Sequence, residues 1–251
     1  MSENLQHSTC NNCGQKTAGP YCANCGQRSS VHKVTFRETF DDLADQLFSL
    51  SAPLSLTIKM LVVNPGQLFR EYLSGKRKKY YKPISFFLLT TLIFLFLRWA
   101  IDFSSMGQAI GDPNTIPGID SELLTQARVF MVENINNLLF IFVFALALML
   151  KLFFYKKYML SEYLAVAFYL AGFYSIIGTI NSFYIKYINP NVQYLAMLFM
   201  LVYFVYAMVS FFQDRKFVVA IKSVFIYFFS YLLYAFLGFY FSYLIVWLKQ
   251  S

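Results

Sequence analysis

The stretch from Asn64 to Ser85, NPGQLFREYLSGKRKKYYKPIS, constrains this chain most, because it joins a polar, cysteine-bearing front to a back end built of apolar runs. Lys76, Arg77, Lys78, Lys79 and Lys82 crowd ahead of an apolar run that opens at Ile84, with Tyr80 and Tyr81 among them. Cations are costly to carry across a bilayer and are drawn to anionic lipid on the cytoplasmic leaflet, while tyrosine rings settle at headgroup level. The stretch therefore reads as a cytoplasmic membrane boundary whose five cations face anionic headgroups.

Behind it, apolar runs long enough for a hydrocarbon layer of about 30 Å cover Ile84–Ile101, Asn137–Tyr155, Tyr163–Tyr184, Tyr194–Phe212 and Ser223–Leu248. With 58% hydrophobic and 20% aromatic residues, water is not the solvent for most of this chain. Five membrane spans are expected; Arg98 and Lys151 lie near enough to run ends to snorkel out. Lys and Arg number eleven before the first run, two from Arg98 to Arg128, three from Lys151 to Lys157, one at Lys186, three from Arg215 to Lys222 and one at Lys249. Alternate segments thus hold seventeen and four, so the N-terminus is expected in the cytoplasm and the C-terminus outside. The loop after the first run carries Asp102, Asp112, Asp120, Glu122 and Glu133, with turn signals at Gly111-Asp112-Pro113 and Pro117-Gly118, and a helix is expected over Asp120–Asn136. In the third run, Ala171, Ser175 and Thr179 recur every four residues beside Gly172 and Gly178, the spacing of a close helix-packing seam.

In front of the boundary, the cysteines form two copies of C-x-x-C-G-Q, Cys10-Asn-Asn-Cys13-Gly14-Gln15 and Cys22-Ala-Asn-Cys25-Gly26-Gln27. Each pair lets two thiolates reach one ion from a tight turn, and the glycine after the second cysteine frees the backbone to curl back toward sulfur. Four thiolates suit tetrahedral zinc and also a rubredoxin-type iron; two disulfides would need an oxidising compartment. Spacing and a cytoplasmic location favour zinc on Cys10, Cys13, Cys22 and Cys25, in a small zinc-ribbon-like hairpin turning at Ala18-Gly19-Pro20. His7 and His32 read as linker residues. Further on, Phe36, Phe40, Leu43, Leu47 and Leu50 follow helical spacing, a second helix is expected over Leu54–Val63, and Pro65 opens a third that stops at Gly75. Their apolar residues Ile58, Leu61 and Val62, and Leu68, Phe69 and Tyr72, are expected to lie on the membrane surface or on the ends of the spans. The chain divides into a knuckle (1–32), cytoplasmic interfacial helices (33–83) and a five-helix transmembrane domain (84–251) of all-α class.

These features together resemble an uncharacterised, unknown-function family of bacterial multi-pass membrane proteins with an N-terminal paired C-x-x-C-G-Q zinc knuckle. The residues that carry the resemblance are Cys10, Cys13, Gly14, Gln15, Tyr21, Cys22, Cys25, Gly26 and Gln27, then Thr57, Pro65, Gly66, Tyr72, Gly75, Lys76, Arg77, Tyr80 and Pro83. It implies zinc and a membrane, and no activity.

Both histidines and all four cysteines precede residue 33, and the later chain has no nucleophile motif, P-loop or zinc-protease signature, so an enzyme is not expected. The net charge of +8 collects at the ends of apolar runs, which points to lipid and away from nucleic acid. An adaptor in the cytoplasmic (inner) membrane, recruiting a cytoplasmic protein partner through the knuckle, is the expected function; a small transporter or channel subunit, as a homo-oligomer, is the alternative. No basic, then apolar, N-terminal pattern marks a cleavable signal. A topology reporter should be external when fused near Gly111 or after Ser251 and cytoplasmic near Lys157; cytoplasmic activity after Ser251 would break the five-span count.

Overall fold

The structure of the chain is a computed structural model that describes residues 8–17, 19–27, 54–101, 122–134, 138–189 and 195–250. The amphipathic helix expected from Phe36 to Leu50, both histidines and the turns expected at 111–118 lie outside these residues. Two short strands, β1 (Ser8–Thr9) and β2 (Lys16–Thr17), form an antiparallel pair. Eight helices follow among the described residues: α1 (Leu54–Val63), α2 (Pro65–Leu73), α3 (Pro83–Ala100), α4 (Glu122–Glu133), α5 (Leu139–Phe153), α6 (Leu160–Tyr187), α7 (Leu195–Phe212) and α8 (Lys216–Gln250).

Four of these, α3, α6, α7 and α8, are long and apolar enough to cross a membrane. All five apolar runs became helices, but α5 has only 15 residues, about 22 Å at 1.5 Å per residue. The turn before α6 shortens it: Phe154 N–H closes on Leu150 O, and Lys151 Nζ donates to the carbonyls of Tyr155 (2.6 Å) and Tyr158 (2.9 Å). Conversely, α6 and α8 outrun their apolar segments. Glu162 accepts the Met159 N–H at 2.6 Å, which starts α6 before Tyr163. Gln213, with φ of 51°, reverses the chain so that α8 begins at Lys216 and runs 35 residues.

The helices of the five apolar runs, α3, α5, α6, α7 and α8, alternate in direction. Lys157 pairs with Asp214 at 2.9 Å and ties the α5–α6 turn to the α7–α8 turn. At the other end, Lys186 on α6 donates to the carbonyl of Ile101 just past α3. The most extensive helix pair is α3 with α6. There the small-residue stripe works as a packing seam: a Cβ on Gly172 would meet the Phe86 ring at 2.6 Å, and the Ser175 and Thr91 hydroxyls lie 3.1 Å apart. Between apolar helices in an apolar solvent, such close packing and hydrogen bonding supply the attraction that the hydrophobic effect does not.

The two helices ahead of the boundary have the ends their sequences imply. Asn64 caps α2, its Oδ1 accepting the Gln67 N–H at 3.2 Å, and Pro65 takes the first helical position, where a missing N–H costs nothing. Leu61, Leu68 and Phe69 are fully buried and Tyr72 nearly so, against α6 and α7, while Val62 is exposed. The pair therefore packs on the bundle, with Arg70 Nη1 donating to the carbonyls of Ser210 and Phe211 at the end of α7. Tyr80 and Tyr81 turn into the protein. Both are buried, 2% and 6% exposed, because Glu71 accepts the Tyr80 hydroxyl at 2.7 Å and the Tyr81 backbone bonds Thr57 and Tyr169.

Where α2 crosses α7, Gly66 sits on backbone. A Cβ there would fall 2.2 Å from the carbonyl carbon of Ser210, and backbone cannot turn aside as a side chain can. Gly66→Ala should lower the unfolding midpoint in detergent by the equivalent of about 1–3 kcal/mol. Gly178→Ala, whose Cβ would meet the Phe94 ring at an ordinary 3.5 Å, should leave it nearly unchanged. Equal effects would show that α2 does not dock on α7.

Candidate metal centre

Each cysteine pair sits on a turn of the same design. Gly14 N–H bonds Cys10 O at 2.8 Å and Cys10 N–H bonds Gln15 O at 2.9 Å; Gly26 to Cys22 (2.8 Å) and Cys22 to Gln27 (2.7 Å) repeat the pattern. The closing glycines have φ of 76° and 68°, the left-handed region that a side chain would strain. One difference from expectation is the hairpin. The paired strands flank the first knuckle, with Thr9 opposite Lys16, so the chain reverses at Cys10–Gln15, and Gly19 and Pro20 belong to the link between knuckles. The reason is local: the knuckle's own hydrogen bonds bring residues 9 and 16 into register.

The two turns face each other and gather four thiols. Cys10 and Cys25 sulfurs lie 3.5 Å apart and those of Cys13 and Cys22 3.6 Å, and all four fall within 4.8 Å of one another. A tetrahedral ion with bonds near 2.3 Å to sulfur needs sulfurs about 3.8 Å apart. The cysteines are free, and these separations are far from a disulfide's roughly 2.05 Å. The four can therefore hold a metal ion. A hydrogen bond from the Gln15 backbone, joined by the Asn24 side chain and the neighbouring thiols and opposed by desolvation, brings the Cys13 thiol down to about 6. At Cys13 the thiolate form, which binds metal, is thus favoured near neutral pH. A four-thiolate shell leaves no open position for water or substrate, so the chemistry it supports is structural.

What the sequence motif did not reveal is the role of its last residue. Gln27 is buried, 3% exposed, and its side chain clasps the turn ahead of α3: Nε2 donates to Gly75 O at 2.6 Å and Oε1 accepts the Lys78 N–H at 3.3 Å. Gln15, its counterpart in the first knuckle, is exposed. Gly75, with φ of 109°, turns its carbonyl to meet this clasp. Nothing in two identical C-x-x-C-G-Q copies distinguishes the docked glutamine from the free-standing one, because the difference lies 48 residues away in sequence.

The same turn is braced from α2 by Glu71. Its carboxylate accepts from Lys79 at 2.6 Å, from Tyr80 at 2.7 Å and from Gln67 at 3.0 Å, with Lys76 at 3.7 Å. Two of the five cations expected to face lipid are thus turned toward a protein carboxylate, while Lys78 is exposed. Burial pushes the Glu71 carboxyl upward, but the hydrogen bonds from Gln67, Lys79 and Tyr80 outweigh it and hold it at about 2. Burial and the bond to Glu71 keep the Tyr80 phenol up at about 12, a neutral donor. Since the folded carboxyl sits below its ordinary 4.5, its contribution is full above that value and fades as pH falls toward about 2. Wild type should therefore be more stable than Glu71→Gln at neutral pH, and the gap in unfolding midpoint should close as pH drops through that window. A gap independent of pH would show that packing, not charge, is at stake.

Residues 54–95, from α1 through most of α3, match a family model described as a protein of unknown function (DUF3667). No curated protein and no solved structure matches the chain. The matched segment includes Thr57 and Tyr80, whose bonds tie α1 and α2 to the turn before α3, and Gly66, which sets α2 against α7. The four cysteines lie outside it, so what the family model covers is the joint onto which the metal knuckle is clasped.

Proposed function

We propose that this chain is a multi-pass protein of the cytoplasmic membrane in which a structural zinc knuckle, held on the cytoplasmic side, serves as an adaptor that recruits a protein partner. The observation that carries the reading is the Gln27 clasp. It holds the knuckle against the turn between Gly75 and Lys78, next to the first long helix, while Tyr21 on the second knuckle stands 58% exposed. A knuckle fixed on one side and open on the other suits binding, and its closed ligand shell suits a structural ion better than a catalytic one.

Zinc is favoured over iron by the same residues in a reducing compartment. Five crossings, with the N-terminus inside, are favoured by the alternating helix directions and by the pairing of Lys157 with Asp214 at the end that also carries the basic turn. On this reading α5 crosses in spite of its length, the bilayer thinning or Lys151 snorkelling to meet it. Lys78 contributes the most open positive charge of the turn toward anionic headgroups.

Purified protein should carry one zinc per chain, and a photo-crosslinking amino acid at Tyr21 should capture one cytoplasmic protein in cells. Cys10→Ser with Cys13→Ser should abolish both signals. Gln27→Ala should keep the zinc and weaken the adduct, because only the clasp is lost. Iron in place of zinc, or reactive thiols with no metal, would overturn the zinc assignment. An adduct unaffected by the cysteine changes, or solute flux in reconstituted vesicles with no adduct, would overturn the adaptor reading in favour of the small transporter or channel.

A further inference from the structure

The elbow between α1 and α2, Val62–Val63–Asn64, is held in an unusual way. A helix's last carbonyls have no partner within it, and Pro65 brings no N–H to help. In water such groups are hydrated. Here the Leu61 carbonyl accepts the Tyr203 hydroxyl at 2.9 Å, the Val63 carbonyl accepts the Tyr206 hydroxyl at 2.6 Å, and Asn64 Oδ1 accepts the Ser210 hydroxyl at 2.9 Å. All three donors lie on one stripe of α7, a helix of bilayer-crossing length and apolarity.

Their positions fix the depth. Past its last residue, Phe212, α7 gives way to Gln213, Asp214, Arg215 and Lys216, all exposed, with Asp214 paired to Lys157. Tyr206 and Tyr203 stand six and nine residues before Phe212, about 9 and 14 Å along the helix. Backbone carbonyls at such a level need protein partners, because hydrocarbon offers none. The polar side chains of α2 meet the same requirement: Gln67 bonds Asn64 and Glu71, Arg70 bonds the Ser210 and Phe211 carbonyls, and Glu71 bonds Lys79 and Tyr80. Lys59, exposed one turn before Val63, has a stem long enough to carry its charge outward.

The side chains at the elbow are apolar and open. Val62 is 56% exposed and Val63 62%, and on α7 the stripe below Tyr206 continues with exposed Val202 and Phe199. Surface of this kind, continuous with the outer face of a membrane-length helix and backed by the bonded Leu61 and Val63 carbonyls, fits acyl chains. We propose that the α1–α2 elbow is a re-entrant wedge that dips into the cytoplasmic leaflet, with Val62 and Val63 in contact with phospholipid acyl chains. The proposal rests on the reading of α7 as a membrane span with its Asp214 end cytoplasmic.

The test uses the native full chain in vesicles of phosphatidylethanolamine and phosphatidylglycerol, doped with a phospholipid that carries a diazirine midway along one acyl chain. After photolysis, adducts are mapped by peptide mass spectrometry. Adducts on Val62 or Val63 at a yield comparable with Val202, and absent from Lys156 and Asp214, are the expected result. Adducts on Val202 with none on Val62 or Val63 would overturn the wedge and leave the span in place. Adducts on neither would overturn the span reading of α7 and the wedge with it.

Discussion

A helix that ends where water is scarce must find partners for its last carbonyls, and most of the polar chemistry in this structure answers that demand. Arg70 donates to Ser210 and Phe211 at the end of α7, Lys222 to Phe153 at the end of α5 (3.3 Å), and Lys186 to Ile101 after α3. Lys151 spans the carbonyls of Tyr155 and Tyr158, and the Tyr163 hydroxyl reaches Phe154 O at 2.8 Å. A cation at a helix C-terminus also complements the negative end of the helix dipole, so each contact does two jobs in a medium where both count for more. Cations that a charge count treats as bulk topogenic charge are thus individually engaged with named carbonyls.

That demand explains why the two short helices pack on the bundle. Fully buried Phe69 sits between Tyr169 and Phe211, and Gly66 brings the α2 backbone against that of α7. The turn that follows is then gripped from three sides: Glu71 on α2 holds Lys79 and Tyr80, Thr57 on α1 takes the Tyr81 N–H, and Gln27 from the knuckle holds Gly75 and Lys78. A metal ion held by the four cysteines would, in fixing the knuckle, also present Gln27 to the turn. The knuckle, the short helices and the first long helix meet within this turn.

The seam between α3 and α6 shows how far a pattern can be trusted. Ala171, Ser175 and Gly172 announced a close approach, and Phe86 over Gly172 with Thr91 beside Ser175 is that approach. The spacing did not name the partner, because small residues at every fourth position fit any helix with a matching ridge. Tyr80 and Tyr81 mark the opposite case. Tyrosines beside lysines suit a headgroup layer, but Glu71 draws Tyr80 inward while Thr57 and Tyr169 hold Tyr81.

The sequence by itself determined what periodicity and local chemistry control. The cysteine spacing and its glycines built the knuckles, Asn64 and Pro65 set the start of α2, and the apolar runs became helices, since each depends on residues within a few positions of one another. Tertiary structure alone decided that Gln27 docks while Gln15 does not, that Glu71 gathers Lys79 and Tyr80, that Tyr203 and Tyr206 cap the end of α1, and that α5 stops short. Gln27 and the two tyrosines act across dozens of residues, Glu71 reaches around the turn that follows its own helix, and α5 ends where Lys151 gathers the carbonyls of a turn. In each, a polar group in a low-dielectric interior takes whichever partner the packing brings within reach.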